Sequence, residues 1–243
     1  MGLSAALSLT TSGSSGRLAP RGLTDAAARE SRPASLENDS VVAPFPFRII
    51  ALRHGETAYN AERRLQGQLD IPLNARGREQ AASVGRTLGT RIGAEIAQLE
   101  AAGAFVASPL LRARETMEIV REAMGLGPED YKLDPRLKEI SFGVWEGLTW
   151  PEIEALDPKG VGTRRKDKWN FAPSGGESYA MLAERLRPWL DGLSGDTFVV
   201  SHGGVARALM TLIAGVAPAQ AAEAPIAQGR ALRFESGGCH WIK

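Results

Sequence analysis

The chain has 243 residues, 43% of them hydrophobic and 23% charged, and a formal net charge of +1. That is enough apolar material for a sizeable core and too little net charge to draw the protein to nucleic acid or a membrane, so a small anionic substrate would need local positive charge. The single cysteine, Cys239, excludes an intrachain disulfide and suits a reducing, cytoplasmic setting, and apolar runs such as 197–200 are far too short to span a bilayer.

Residues 1–46 are rich in Ser, Ala, Gly, Arg and Pro, with Phe45 as their one aromatic. Such a segment buries too little apolar surface to offset its ordering entropy, and a mostly disordered tail is predicted. Before Asp25 it carries Arg17 and Arg21 and no acid. That composition is shared with organelle transit peptides, so an organelle address stays open beside the plainer reading of a floppy tail.

A folded domain is expected over 47–243. Residues 47–52 read as a buried strand that delivers Arg53, His54 and Gly55 to its carboxyl end. A helix is predicted over 75–92 with Asn74 as N-cap, followed by a strand at 104–107. Ser108 and Pro109 read as the N-cap and first residue of a helix that runs to near Met124 and stops at Gly125 and Gly127. Residues 131–133 form a candidate third strand. Residues 134–176 mix Pro, Gly, Trp and a basic run, with one short helix at 151–156. Residues 177–190 are helical in pattern, with Pro188 ending or kinking the helix late. The clearest buried strand is 197–200. It leads into Ser201-His202-Gly203-Gly204 and a helix over 205–214. Residues 231–235 and 239–242 close the chain as two strands joined at Gly237-Gly238. This alternation predicts an α/β fold, a three-layer α/β/α sandwich with a mainly parallel central sheet. Ligands of such sheets bind beyond the carboxyl ends of the strands, where His54, Ser108 and His202 fall.

Cleaving a phosphate monoester without a metal takes a nucleophile, cations around the non-bridging oxygens and an acid for the leaving group. His54 is a nucleophile candidate, because a neutral imidazole nitrogen can attack phosphorus. Arg53 supplies a permanent cation whose fork fits phosphate oxygens, and Gly55 lets backbone approach closely. Arg112 lies in the first turn of a helix, where the dipole also favours an anion. His202 can donate to a phosphoryl oxygen, and Glu139 is a candidate proton donor to the leaving oxygen and later base for water. Each alone is weak; the joint arrangement carries the reading.

The chain resembles the histidine phosphatase superfamily, also called phosphoglycerate-mutase-like. Leu52-Arg53-His54-Gly55-Glu56-Thr57, Asn60 and Arg64-Leu65-Gln66-Gly67 resemble its signature, and Asp70, Pro72-Leu73 and Gly77 continue the match. Ser108-Pro109-Leu110-Leu111-Arg112-Ala113 matches a second motif, and Arg136 to Ile140 with Gly143 and Trp145-Glu146-Gly147 a third. Gly175-Gly176-Glu177-Ser178 and Val200-Ser201-His202-Gly203-Gly204 complete the set. The resemblance covers about residues 47–243. It implies that His54 is phosphorylated, that Arg53, Arg112 and His202 bind the phosphoryl group, and that Glu139 is the acid. It also implies substrate or phosphate contacts at Asn60, Gln66, Gly67, Arg114 and Gly203. No cofactor is implied.

The expected activity is a metal-independent phosphomonoesterase for a small phosphorylated metabolite. Only 89 residues separate Arg112 from His202, which resembles the compact phosphatase-like members more than the mutases with their longer segment. Phosphoglycerate mutase-type transfer and a non-catalytic phosphate-ligand binding protein are the alternatives. Three histidines and one cysteine show no metal-ligand spacing, and the glycine pairs form no phosphate-cradling fingerprint. Specificity is expected from 144–176, where Trp145, Trp150, Trp169 and Phe171 offer an apolar wall. The run Arg164, Arg165, Lys166 and Lys168 is read as solvated, ahead of a role in attracting a second phosphate or carboxylate. A neutral His54 and a protonated Glu139 predict a bell-shaped pH-rate profile. The oligomeric state is open.

Overall fold

The computed structural model describes residues 45–242. The elements run β1 (Ile49–Arg53), α1 (Ala58–Ala61), α2 (Ala75–Ala101), β2 (Phe105–Ala107), α3 (Leu111–Ala123) and β3 (Lys132–Leu133). They continue as α4 (Trp150–Leu156), α5 (Pro158–Lys166), α6 (Tyr179–Asp191), β4 (Thr197–Ser201), α7 (Gly203–Leu212), α8 (Pro218–Glu223), β5 (Ala231–Glu235) and β6 (Gly238–Trp241). Two 3-10 turns, Pro135–Leu137 and Gly143–Trp145, lie between β3 and α4.

The strands form one sheet in the order β3-β2-β4-β1-β5-β6, parallel except for β5 and β6. Successive residues of a strand face opposite sides. Ile49, Ala51 and Val199 therefore join one core with Leu182 and Leu186 of α6 and Leu209 of α7. Ile50, Leu52, Phe198 and Val200 join the other with Val84 and Leu88 of α2 and Met117 of α3. The result is the expected three-layer sandwich. Burial on both faces is why β1 and β4 read as continuous apolar runs. A smaller cluster of Trp145, Ile153 and Val161 lies under α4 and α5.

Several boundaries differ from the expected ones for physical reasons. Helix α2 bends at Ile92, which has non-helical angles (φ −135°, ψ 31°), and then continues to Ala101. Ile96 and Leu99 prolong its apolar stripe into the core. Helix α3 starts at Leu111, its N-cap is Leu110, and Ser108 is not the cap. Pro188 does not end α6, because Leu186, Trp189 and Leu190 stay buried on one side while Pro188 and Glu184, whose carbonyl loses its partner, are exposed. Helix α7 begins at Gly203, two residues earlier than expected. The short α1, the nine-residue α5 and α8 are elements that the sequence pattern did not show. Of the tail expected over 1–46, residues 1–44 and the question of an organelle address lie outside the described residues. Phe45 packs against the core and meets Phe47 edge-on at 6.1 Å. Among the described residues no helix is long and apolar enough to cross a membrane.

Candidate active site

Two backbone hydrogen bonds bring the site together. His54 N–H donates to Ser201 O (3.0 Å) and Ser108 N–H donates to Val200 O (3.0 Å). They extend the β1-β4 and β2-β4 ladders by one step, so the exits of three neighbouring parallel strands lie side by side. His54 and His202 leave those exits with ring centroids 5.2 Å apart. A cavity of about 570 Å³ opens at the other ends of the strands, beside Phe105 and Thr197, and takes no part in this site.

His54 is 2% exposed. Its Nδ1 lies 2.7 Å from the Gly55 carbonyl oxygen. A carbonyl only accepts, so Nδ1 carries the proton and Nε2 keeps its lone pair. Arg112 Nε donates to that lone pair at 3.3 Å. Burial, then the charges of Arg112 and Arg53, hold the His54 imidazole well below its usual range, so it is neutral.

Arg112 is fully buried on the first turn of α3. Its Nη1 donates to Leu69 O and its Nη2 to Gly67 O, both at 2.7 Å. Burial lowers its pKa to about 10, which leaves it protonated at neutral pH. The Gly67 carbonyl is presented from a left-handed backbone (φ +52°), and a Cβ there would meet Glu146 Oε1 at 2.0 Å. Gly67 thus serves Arg112 directly. Glu146 holds the same loop by accepting from Gln68 N–H and Phe142 N–H. Arg53 donates from Nη1 to Ile226 O (2.7 Å), and its buried Nε has no partner among the described residues.

His202 is fully buried, and its Nε2 lies 2.7 Å from Ser108 Oγ. Its Nδ1 is unpartnered among the described residues. Burial, Arg112 and His54 in that order push its pKa well down. The sequence placed Ser108 at the site but gave it the wrong partner: it meets His202 in place of capping α3.

Glu139 caps α7. Its Oε1 accepts from Gly204 N–H and Ile140 N–H, both at 2.9 Å. A Cβ on Gly204 would stand 2.2 Å from that oxygen, so glycine is what lets the carboxylate reach the helix start. Arg185 fixes the loop that carries Glu139. Its guanidinium donates to the carbonyls of Arg136, Lys138 and Glu139 and to Glu177.

Of the other expected contacts, Gln66 is buried and accepts from Thr57 Oγ1 (2.9 Å), while Asn60, inside α1, completes the capping box of its N-cap Thr57 and accepts from Gln228 Nε2 (2.9 Å). Gly203 opens α7 beside Arg53. Arg114 is not brought to this group by any hydrogen bond among the described residues; two positions on from Arg112 it projects from another side of α3, and its charge acts on Tyr131. The close approach at Gly55 is to another backbone, since a Cβ there would lie 2.4 Å from Gly77 O. Within 144–176, Trp145 is fully buried and stacked with Phe171 at 5.2 Å, so it is core and not an open wall. The basic run is not uniformly solvated: Arg165 and Lys166 are exposed, Arg164 and Lys168 half-buried. Sequence reasoning passed over Tyr179 and Arg207, which carry no motif signal of their own. Among the described residues no three His, Cys, Asp or Glu side chains cluster as a metal site would require.

Comparison with known proteins gives a match to the histidine phosphatase superfamily (branch 1) over residues 49–242. A glucosyl-3-phosphoglycerate phosphatase of Mycolicibacterium vanbaalenii is 34% identical over 181 residues, 70% of this chain and 75% of the relative. A probable phosphoglycerate mutase of Klebsiella pneumoniae is 37% identical over 183 residues, 70% of this chain and 76% of the relative. A solved mycobacterial glucosyl-3-phosphoglycerate phosphatase in complex with VO3 superposes with a TM-score of 0.66 at 29% identity, covering 81% of this chain and 97% of that one.

Proposed function

The chain belongs to the histidine phosphatase superfamily, and from that premise we propose that it hydrolyses a phosphomonoester of a small metabolite through a phosphohistidine on His54. One observation carries the assignment of the nucleophile: the Nδ1 proton is committed to Gly55 O, so Nε2 presents a lone pair beside the Arg112 guanidinium. An incoming phosphoryl group meets Nε2 in line, and its oxygens take up the Arg112 Nε–H and the unpartnered Arg53 Nε–H. In the tautomer with the proton on Nδ1, His202 adds a further donor while Ser108 donates to Nε2.

In the first step the Nε2–P bond forms, the bond from phosphorus to the alcohol oxygen breaks, and protonated Glu139 gives its proton to that oxygen. In the second, the Glu139 carboxylate takes a proton from water, the water oxygen bonds to phosphorus and the N–P bond breaks, releasing phosphate. With His54 held neutral by burial, the acidic limb of the expected bell belongs well below the ordinary imidazole range. A chain with Cys239 as its one cysteine suits a reducing, cytoplasmic setting as part of this reading.

The test is phosphate release from an aryl phosphate with a chelator present. The wild type turns over, and His54→Ala loses activity on the order of 10⁴-fold or more. Undiminished turnover by His54→Ala would remove the nucleophile assignment. Failure of the wild type to release phosphate, with conversion of 3-phosphoglycerate in the presence of a bisphosphate primer, would make the chain a mutase.

A further inference from the structure

His54 is tied to one tautomer by a single bond, from Nδ1–H to the Gly55 carbonyl. Whatever aims that carbonyl therefore sets which ring nitrogen keeps its lone pair. The Gly55 carbonyl and the Glu56 N–H belong to one planar trans peptide and point in opposite directions, so holding the N–H aims the carbonyl. The Glu56 N–H donates to Gln80 Oε1 at 2.9 Å, its one hydrogen bond among the described residues. A backbone N–H only donates, so the amide oxygen of Gln80 is the atom that faces it. Gln80 is half-buried on the second turn of α2.

The other bonds along this stretch hold the flanking peptides. Thr116 Oγ1 is buried, accepts from Gly55 N–H (3.0 Å) and donates to Arg112 O (2.6 Å), which fixes the peptide before Gly55. Asn74 N–H donates to Glu56 O (2.9 Å), which fixes the peptide after Glu56. The peptide between them turns about Gly55, which has no Cβ to oppose the rotation. Glycine is demanded there by packing, because a Cβ would run into the backbone of Gly77. The close approach of α2 thus removes a steric restraint, and Gln80 of the same helix supplies a hydrogen-bonded one. If the carbonyl turned away, the buried Nδ1–H would lose its acceptor. A proton moved to Nε2 instead would stand against the Arg112 Nε–H, donor to donor.

We propose that Gln80 is a positioning residue for the nucleophile: through the Glu56 N–H it aims the Gly55 carbonyl, and through that carbonyl it keeps the His54 proton on Nδ1 and the lone pair on Nε2. The inference rests on the phosphatase reading above and deepens it. It names a side chain on α2 that acts on the attacking atom without touching it.

The test reads tautomer and turnover in Gln80→Met, which keeps the side-chain length and removes the acceptor, and in Gln80→Glu, which keeps an acceptor. Imidazole 15N spectra are recorded at about pH 7.5, where His54 is neutral, and its signals are those missing from a His54→Gln spectrum. The wild type and Gln80→Glu show a protonated Nδ1 and a bare Nε2, whereas in Gln80→Met the two nitrogens are drawn toward a common intermediate shift. In Gln80→Met kcat/KM falls by about fivefold to tenfold, equally for p-nitrophenyl phosphate and an alkyl phosphate, because the nucleophile and not the proton donor is weakened. Gln80→Glu recovers most of that loss. A side chain that only supported the fold would lower the urea midpoint and leave both nitrogens as in the wild type. If Gln80→Met fails to fold, Gln80→Leu decides by the same spectrum. A wild-type spectrum in the folded variant, or a kcat/KM within about twofold of wild type, overturns the role of Gln80 and leaves the phosphatase standing. No phosphate release from either ester by the wild type sinks the phosphatase reading itself, while the spectra still decide what Gln80 does to His54.

Discussion

In the proposed phosphoryl pocket the Arg112 fork is held by two backbone carbonyls, Gly67 and Leu69, whereas in the wall beside it Arg164 lies on an indole ring and Lys168 reaches an exposed carboxylate. His54, Arg112 and His202 are at most 2% exposed, and their neighbours are strand exits and a helix start. The wall is largely side chain against side chain: Trp169 stacks on Tyr179 at 5.7 Å, and Lys168, just past α5, meets Glu223 from the end of α8. Backbone-held donors do not reorganise as charge develops, which is what transition-state stabilisation needs. Side-chain contacts can re-sort around different alcohols, which is what a specificity surface needs.

The largest break of this contrast is Arg112→Ala. It removes the cation nearest His54 Nε2 and leaves the Gly67 and Leu69 carbonyls without their donor. Turnover should fall on the order of a hundredfold or more on every substrate, whatever the leaving group, as measured by steady-state phosphate release. A variant near wild-type rate would show that the backbone-held cation is not part of the chemistry.

Gly204→Ala probes the joint between pocket and wall. The added Cβ would stand 2.2 Å from Glu139 Oε1 and 3.1 Å from the Ile140 side chain, so the carboxylate must leave its seat on α7. Alkyl phosphate turnover should drop by about tenfold or more, while p-nitrophenyl phosphate, whose nitrophenolate leaves without a proton, loses less. Equal losses in kcat/KM, which reports only the phosphoryl-transfer step to His54, would take the proton-donor role away from Glu139.

The mildest probe is pH. His54 and His202 both have folded values below the ordinary imidazole range, chiefly through burial. Below about pH 6.5 the unfolded chain takes up protons at these positions that the native state refuses, so stability falls as pH drops from there toward the depressed folded values. The slope is at most about 1.4 kcal/mol per pH unit for each histidine. Urea midpoints between about pH 7.5 and 5 should show this decline in the wild type and lose most of it in a His54→Gln/His202→Gln double variant. A wild-type midpoint that stays level over that window would mean the pair titrates normally.

Much of the pocket was legible in the sequence, because its residues are local. Arg53 and His54 end one apolar run, His202 follows another, and Arg112 opens a helix, so short-range pattern and topology sufficed to place them. Ser108 shows the limit: its Ser-Pro pair looks like a helix cap, yet its hydroxyl lies 2.7 Å from His202, 94 positions away. Arg114 entered only as a substrate contact implied by the family resemblance, and two positions on from Arg112 it projects from a different side of α3.

The sequence by itself determined the α/β alternation, the strand exits and the charge-bearing residues at them, because burial on both faces of a parallel sheet writes itself as uninterrupted apolar runs. Only the tertiary structure decided which cations turn inward and which face water. Arg164 and Arg165 are adjacent, and one rests on Trp150 while the other pairs with Glu154. Neighbours on a helix point about 100° apart, and which direction is inward depends on where α4, α7 and α8 pack, a relation no local pattern encodes.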